Sequence, residues 1–239
     1  CSNFTLRERI CVSIGAKSVS ELSFLINKAL GLSDFFEIRF DFLEQSDISS
    51  AIEVTEIIKS RSIFTLRTKK EHGGFKGNEK ERIDILKKLF DTSPMLLDIE
   101  YNTIIENNSL SNYFKDKANI LISWHNFFNT PEDDYLESKI RDMMKFGKNI
   151  KLVTMATNIS DSFRLLNLYK KFQNINLVSF AMGDFGVISR ILCTIYGNSP
   201  FTYASLDKSI APGQLSLIEM RGIYERINQH FLNNAVSTN

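Results

Sequence analysis

Lys151 lies inside a short apolar run, Ile150-Lys151-Leu152-Val153-Thr154-Met155, with the length and composition of a buried strand. An ammonium group taken out of water there costs several kcal/mol unless it is paired or gives up its proton. A lysine that has lost its proton is a nucleophile, and a neutral amine facing a ketone forms a Schiff base. The same position also suits a structural lysine that reaches out to water or pairs with Asp98 or Glu100. His125 poses a similar choice. It ends an apolar run in Ser123-Trp124-His125-Asn126-Phe127, where a histidine is either a hydrogen-bonded structural group or, beside a strand lysine, a general acid and base. The other two histidines, His72 in a Lys-Glu-His-Gly-Gly loop and His230 near the C-terminus, read as solvated. An amine with an imidazole implies carbonyl chemistry. The protonated imine withdraws electrons and acidifies the neighbouring C–H, whose proton the imidazole can take.

Strands and helices must bring these groups together. Apolar runs of strand character recur at 10–14, 36–41, 62–67, 95–100, 119–124, 150–155, 176–182 and 200–204. Stretches of helical spacing lie between them at 18–30, 48–60, 79–91, 131–147 and 160–172, and the segment after Gln214 reads as a final amphipathic helix. Ser18, Thr130 and Ser160 stand as helix-capping candidates. Strands alternating with helices imply right-handed crossovers and a parallel sheet, and eight units in this length fit a (β/α)8 TIM barrel. The residues 1–239 are read as one barrel domain, because no Pro-, Gly- or Ser-rich linker divides them. An open doubly wound sheet is the alternative, but its glycine-rich nucleotide turn is missing. In Phe36-Glu37-Ile38-Arg39-Phe40-Asp41 the charged residues share one face, and a barrel with outer helices turns that face inward. Arg67 and His125 fall in the same inward phase at strand ends, while Lys151 sits deeper. Inward arginines, Arg39 and Arg67, suit an oxygen-rich anion, although Glu37 and Arg39 could also satisfy one another.

Composition narrows the classes. Lys+Arg of 29 against Asp+Glu of 28 leaves a net charge of +1, with no basic stripe interleaved with aromatics, so nucleic acid is not an expected partner. No apolar stretch approaches membrane-spanning length. Cys1, Cys11 and Cys193 have no metal-ligand spacing, and the latter two read as core residues in a reducing, cytoplasmic setting. No second histidine or cysteine cluster completes a metal site.

Six motifs together resemble the type I 3-dehydroquinate dehydratase family over about residues 10–230: Glu37-Ile-Arg39-Phe-Asp41; Thr65-Leu-Arg67 with Glu71 and Gly73-Gly74; Ser123-Trp-His125-Asn-Phe; Lys151-Leu-Val-Thr-Met; Met182-Gly-Asp-Phe-Gly-Val-Ile-Ser189-Arg190; and Ala211-Pro-Gly-Gln214. The resemblance implies a barrel lyase of the shikimate pathway that dehydrates 3-dehydroquinate to 3-dehydroshikimate without a cofactor. It implies that Lys151 forms the imine, His125 moves the proton and Glu71 orients His125. Arg190 then clamps the substrate carboxylate, and Glu37, Arg39 and Arg67 surround the ring hydroxyls. Gln214 belongs to a lid, while Met182 and Tyr203 form an apolar wall that favours a neutral Lys151. A homodimer is also implied.

Without the resemblance, Arg190 reads as a helix-surface arginine, Met182 as core and Pro212-Gly213 as a turn; Asp41, Asp98 and Glu100 read as interior ion-pair partners. The sequence departs from its relatives at Ile210, where some carry a lid serine, and at Asn126 and Phe128. Two other functions remain open to the residues. One is a lysine-dependent aldolase whose Gly183 and Gly186 would bind phosphate. The other is a non-catalytic barrel that binds a polyol acid.

Overall fold

The computed structural model describes residues 9–207 and 209–236, with side chains as far as Gln229; Cys1 and the side chain of His230 lie outside them. Eight strands form the centre: β1 (Ile10–Gly15), β2 (Phe36–Arg39), β3 (Ser62–Thr65), β4 (Leu96–Glu100), β5 (Ile120–Asn126), β6 (Asn149–Met155), β7 (Asn176–Met182) and β8 (Thr202–Ser205). All neighbouring pairs are parallel, in the order β7-β6-β5-β4-β3-β2-β1-β8, which wraps into a nearly closed barrel. Outside lie α1 (Val19–Leu30), α2 (Ile48–Thr55), α3 (Glu79–Asp91), α4 (Tyr101–Glu106), α5 (Asn108–Phe114), α6 (Asp133–Met143), α7 (Ile159–Lys171), α8 (Val187–Leu192) and α9 (Leu217–Val236). Among the described residues no helix is long and apolar enough to cross a membrane.

The period-2 pattern explains the layers. Phe36, Ile38, Phe64, Leu97, Ile99, Ile122 and Leu152 point toward the helices and are fully buried. Each such side chain contributes about 1.5–3 kcal/mol by leaving water. The alternate residues Glu37, Thr65, Asp98, Glu100, Ser123 and Lys151 are also buried, but inside the barrel. The register puts Glu100 beside Ser123 and Ser123 beside Lys151, with His125 one inward layer higher on β5.

Strand and helix limits differ locally from expectation. β2 stops at Arg39 because Phe40–Phe42 turns into a 3-10 helix, which lets Asp41 fold back onto Arg39. Helix α2 ends at Thr55, and α4 and α5 fill a connection that carried no strong periodic signal. Ser18 caps α1 as expected, accepting from the Glu21 N–H. Thr130 and Ser160 do not cap. Thr130 instead hydrogen-bonds Thr154 and the Met155 carbonyl, and Asn158 takes the N-cap of α7 by accepting from the Asp161 N–H.

The edge of β7 facing β8 is sealed by side chains rather than by a strand ladder. The buried Tyr169 hydroxyl of α7 accepts from the Ser179 N–H at 2.6 Å and donates to the Ser179 carbonyl at 2.8 Å. Ser189 Oγ of α8 accepts from the Ala181 N–H at 2.8 Å. These bonds matter because an unpaired buried backbone group costs about 1–3 kcal/mol. Tyr169→Phe is therefore expected to lower the unfolding free energy by about 1–3 kcal/mol in denaturant titration; wild-type stability in that variant would contradict the sealing role.

Candidate active site

The carboxyl ends of the strands enclose a cavity of about 360 Å³, within the range of small-ligand sites. Glu37, Arg39, Arg67, Glu71, His125, Lys151, Met182, Arg190, Tyr203 and Gln214 all line it. Every site residue expected from the sequence thus meets in one place. Lining residues not anticipated are Ser13, His72, Phe127, Val153, Met155 and Phe180. Ser13 and Phe127 did carry a legible signal, since each sits at or just past the end of an apolar run.

Lys151 Nζ lies 3.3 Å from Asp98 Oδ2 and 4.0 Å from Glu37 Oε1, and 4.4 Å above the centre of the Tyr203 ring. The expected apolar wall is therefore only half of its surroundings. The Tyr203 ring supplies that half, and two carboxylates supply the other. The pairing with Asp98 anticipated for a structural lysine is present, but the amine also opens onto the cavity. Glu37 is held by the hydroxyls of Ser13 at 2.7 Å and Thr65 at 3.0 Å, not by Arg39.

Arg39 turns instead to Asp41, donating from Nε and Nη2 at 2.9 and 2.8 Å. Asp41 also accepts from the Gly74 N–H. Nη1 of Arg39 has no hydrogen bond among the described residues, and Arg39 lines the cavity. A Cβ at Gly73 would lie 2.2 Å from the Arg67 carbonyl, so the glycine pair in this loop reflects close backbone approach.

Arg67 is buried among carboxylates. It donates to Asp98 at 2.7 Å and to Ser123 Oγ at 2.8 Å, and lies 3.4 Å from Glu100 and 3.8 Å from Glu71. Arg82 reaches in from α3 to Glu100 at 2.9 Å. Burial alone would push the Asp98 carboxyl up. Arg67, Lys151 and the Ser123 hydroxyl outweigh it and hold Asp98 well below the usual carboxylate range.

His125 Nδ1 lies 2.9 Å from Glu71 Oε2. Burial, together with the charges of Arg67 and Lys151, holds the imidazole well below its ordinary value. Burial also pushes the Glu71 carboxyl up to about 7. The two shifts have one cause, because a dry site disfavours charge on either partner. The pair therefore titrates as a unit. Near neutral pH the imidazole is uncharged, and with Glu71 ionised Nδ1–H donates and Nε2 keeps its lone pair.

Arg190 corrects the helix-surface reading. It lies on α8 but is 2% exposed. Its guanidinium covers the Phe180 ring at 4.5 Å and donates from Nη2 to the Pro212 carbonyl at 3.1 Å. Nε has no hydrogen-bond partner, and no carboxylate pairs with it among the described residues. Burial without a counter-charge brings its pKa down to about 10. A buried cation of this kind has donors left for an anion.

The loop 210–215 crosses the gap between β7 and β8. Pro212 O accepts from the Gly183 N–H at 3.2 Å, and Leu215 O accepts from the Ser205 N–H at 2.9 Å. Gly213 has φ +71°, and a Cβ there would lie 2.4 Å from the Gly183 carbonyl. Gln214 Oε1 accepts from the Ile210 N–H, and its amide points to Ser13 Oγ at 3.5 Å. Gly183 and Gly186 do not form a phosphate cradle, since their N–H groups go to Pro212 and Gly183. Burial pushes both thiols up, Cys193 to about 11, so neither is a thiolate near neutral pH.

A family model described as type I 3-dehydroquinase matches residues 10–230. The 3-dehydroquinate dehydratase of Dehalococcoides mccartyi is 39% identical over 197 residues, spanning 81% of this chain and 86% of that protein. The enzyme of that name from Pyrococcus abyssi is 35% identical over 199 residues, spanning 82% and 89%. The crystal structure of 3-dehydroquinate dehydratase from Geobacillus kaustophilus superposes with a TM-score of 0.81 over 95% of this chain and 96% of that one; at 20% identity this speaks to fold alone. The Aquifex aeolicus structure of the same name gives a TM-score of 0.73 at 27% identity, over 91% and 97%.

Burial of Glu71 has a thermodynamic consequence. Its folded-state pKa is raised from 4.5 to about 7, so the associated stability is full below the lower value and lost as pH rises through the upper one. Glu71→Gln removes that penalty. It is expected to gain about 2–3 kcal/mol over wild type at about pH 8, with the gap closing by about pH 5. Thermal unfolding at both pH values checks this, and a gap independent of pH would contradict it.

Proposed function

Because this chain belongs to the type I 3-dehydroquinase family, and is on that ground a 3-dehydroquinate dehydratase, we propose that it works through a Schiff base on Lys151 with His125 as general acid and base. The observation that carries this reading is the meeting of Lys151 with the His125–Glu71 pair in one cavity, on adjacent strands two residues out of step.

In the proposed sequence the substrate carboxylate binds the unpaired guanidinium of Arg190. Nη1 of Arg39 and the carboxylate of Glu37 take up ring hydroxyls. Arg67 lines the same cavity and joins them around the ring hydroxyls, while its bonds to Asp98 and Ser123 steady the groups beneath the ring. Met182 and the Tyr203 ring cover the apolar face, and Gln214 closes the site from the lid. Ile210 gives only its backbone N–H to this lid.

Lys151 Nζ, freed of its extra proton, attacks the C3 ketone, and loss of water from the carbinolamine leaves the protonated imine. His125 Nε2 then takes a proton from C2, whose electron pair flows toward the iminium nitrogen and forms an enamine. The enamine expels the C1 hydroxyl as His125 returns its proton, so one water leaves. Hydrolysis of the imine releases the enone and regenerates the amine. Glu71 holds the imidazole tautomer throughout, the third-member role. The chemistry needs no metal or organic cofactor, because the iminium group is itself the electron sink.

Turnover is followed by the ultraviolet absorbance of the enone product. Lys151→Met is expected to abolish it, and borohydride added with 3-dehydroquinate should fix the reduced adduct on Lys151 in peptide mass spectra. Full turnover with unmodified Lys151 would reject the mechanism. The low-pH limb of kcat/KM should titrate near the value of about 7 set by Glu71, with activity falling as pH drops through it. In Glu71→Gln that limb is expected to shift; an unmoved limb would remove Glu71 from the proton path.

A further inference from the structure

The ring of His72 completes a stack that begins at the general base. His72 lies nearly flat on Phe127, with centroids 4.0 Å apart and planes at 21°. Phe127 in turn faces His125, at 5.7 Å and 19°. Among the described residues the His72 imidazole forms no hydrogen bond or ion pair, so this face is its specific interaction.

Its backbone makes the arrangement unusual. His72 has φ +57°, a left-handed conformation that costs a residue with a Cβ about 1–2 kcal/mol. Glycines stand at 73 and 74, yet the strained position carries the imidazole. Ser93 and Asp116 share a positive φ, but both lie in connections at the opposite end of the barrel, just before β4 and β5. At His72 the strain instead adjoins the catalytic pair, where a backbone outlier points to function.

A second cavity, of about 340 Å³, lies behind this stack, bounded by Thr68, Asn102, Trp124 and Phe128. Glu71, His72, His125 and Phe127 line both cavities. These four side chains are therefore the partition between the substrate space and an outer pocket. His72 is exposed, so the partition is thin, and the flat contacts of the stack are what hold it together.

We propose that His72 is a positioning residue: it clamps Phe127 onto His125, keeps the imidazole aligned with Glu71, and shuts the outer pocket off from the substrate cavity. The kinetic arm of its test rests on the reaction proposed above; the labelling arm does not. Asn tolerates a left-handed backbone and cannot stack, so His72→Asn isolates the ring.

The experiment compares wild type, His72→Asn, Phe127→Leu and the double variant, with thermal unfolding as a check on the fold. Diethyl pyrocarbonate is applied to the free enzyme, and carbethoxylation of His125 is timed by peptide mass spectrometry. His72→Asn is expected to label His125 several-fold faster. It should also lower kcat by about tenfold with little change in KM, as expected when a base is misaligned rather than substrate binding lost. In the Phe127→Leu background the His72 change should add nothing, because its effect runs through that ring. Wild-type labelling and kcat in His72→Asn would overturn the proposal, as would an effect that persists undiminished without the Phe127 ring. Absence of turnover in the wild type would sink the Schiff-base reading while the labelling still decides the role of His72.

Discussion

The buried guanidinium of Arg67 is the constraint on which the site depends. It follows β3, yet it holds Asp98 of β4 and Ser123 of β5, and stands within ion-pair distance of Glu71 and Glu100. Those partners are the neighbours of Lys151 and His125. Asp98 touches Lys151, and Glu71 touches His125. A charge removed from water at this depth is stable only when its geometry is met on all sides. Meeting it fixes the positions of three strand ends relative to one another. Register, ion pairing and the placement of amine and imidazole are thus one structural solution.

The opposite wall follows a different rule. Arg190 has no carboxylate, stacks on Phe180 and leaves Nε unsatisfied. One side of the cavity is electrostatically closed on itself and the other is open to an incoming anion. Under the proposed mechanism that asymmetry orients a ring acid, with its carboxylate near α8 and its far edge over Lys151. The 210–215 loop adds to the orientation, since its Pro212 carbonyl touches both Arg190 and Gly183. Anion site and lid anchor therefore share one carbonyl.

Much of this was readable from the chain. Alternation in the second strand located Glu37 and Arg39 on the inner face, and the phase of Ser123 and His125 did the same for β5. An ionisable residue within an apolar run singled out Lys151. What escaped the reading depends on distant partners. Arg82 lies in a charged helix whose sequence does not set it apart, but it is 1% exposed and salt-bridged to Glu100. Nothing in the sequence around Tyr169 marks its hydroxyl, which finds its purpose at an unpaired strand edge. The turn at Asp41 and the caps of α6 and α7 were missed because local side-chain bonds competed within a few residues of each expected boundary. His72 seemed a loop histidine, and nothing nearby in sequence indicates the ring it rests on.

The Arg67 cluster also limits how the barrel can diverge. Asp98, Glu100 and Glu71 answer to Arg67, while Glu100 answers to Arg82 as well. Replacing Asp98 singly takes away the nearest carboxylate of Arg67 and of Lys151 at once. Drift in this part of the barrel must therefore proceed by coupled substitutions, whereas exposed ion pairs at the outer helices, such as Lys145 with Asp142, can change one residue at a time.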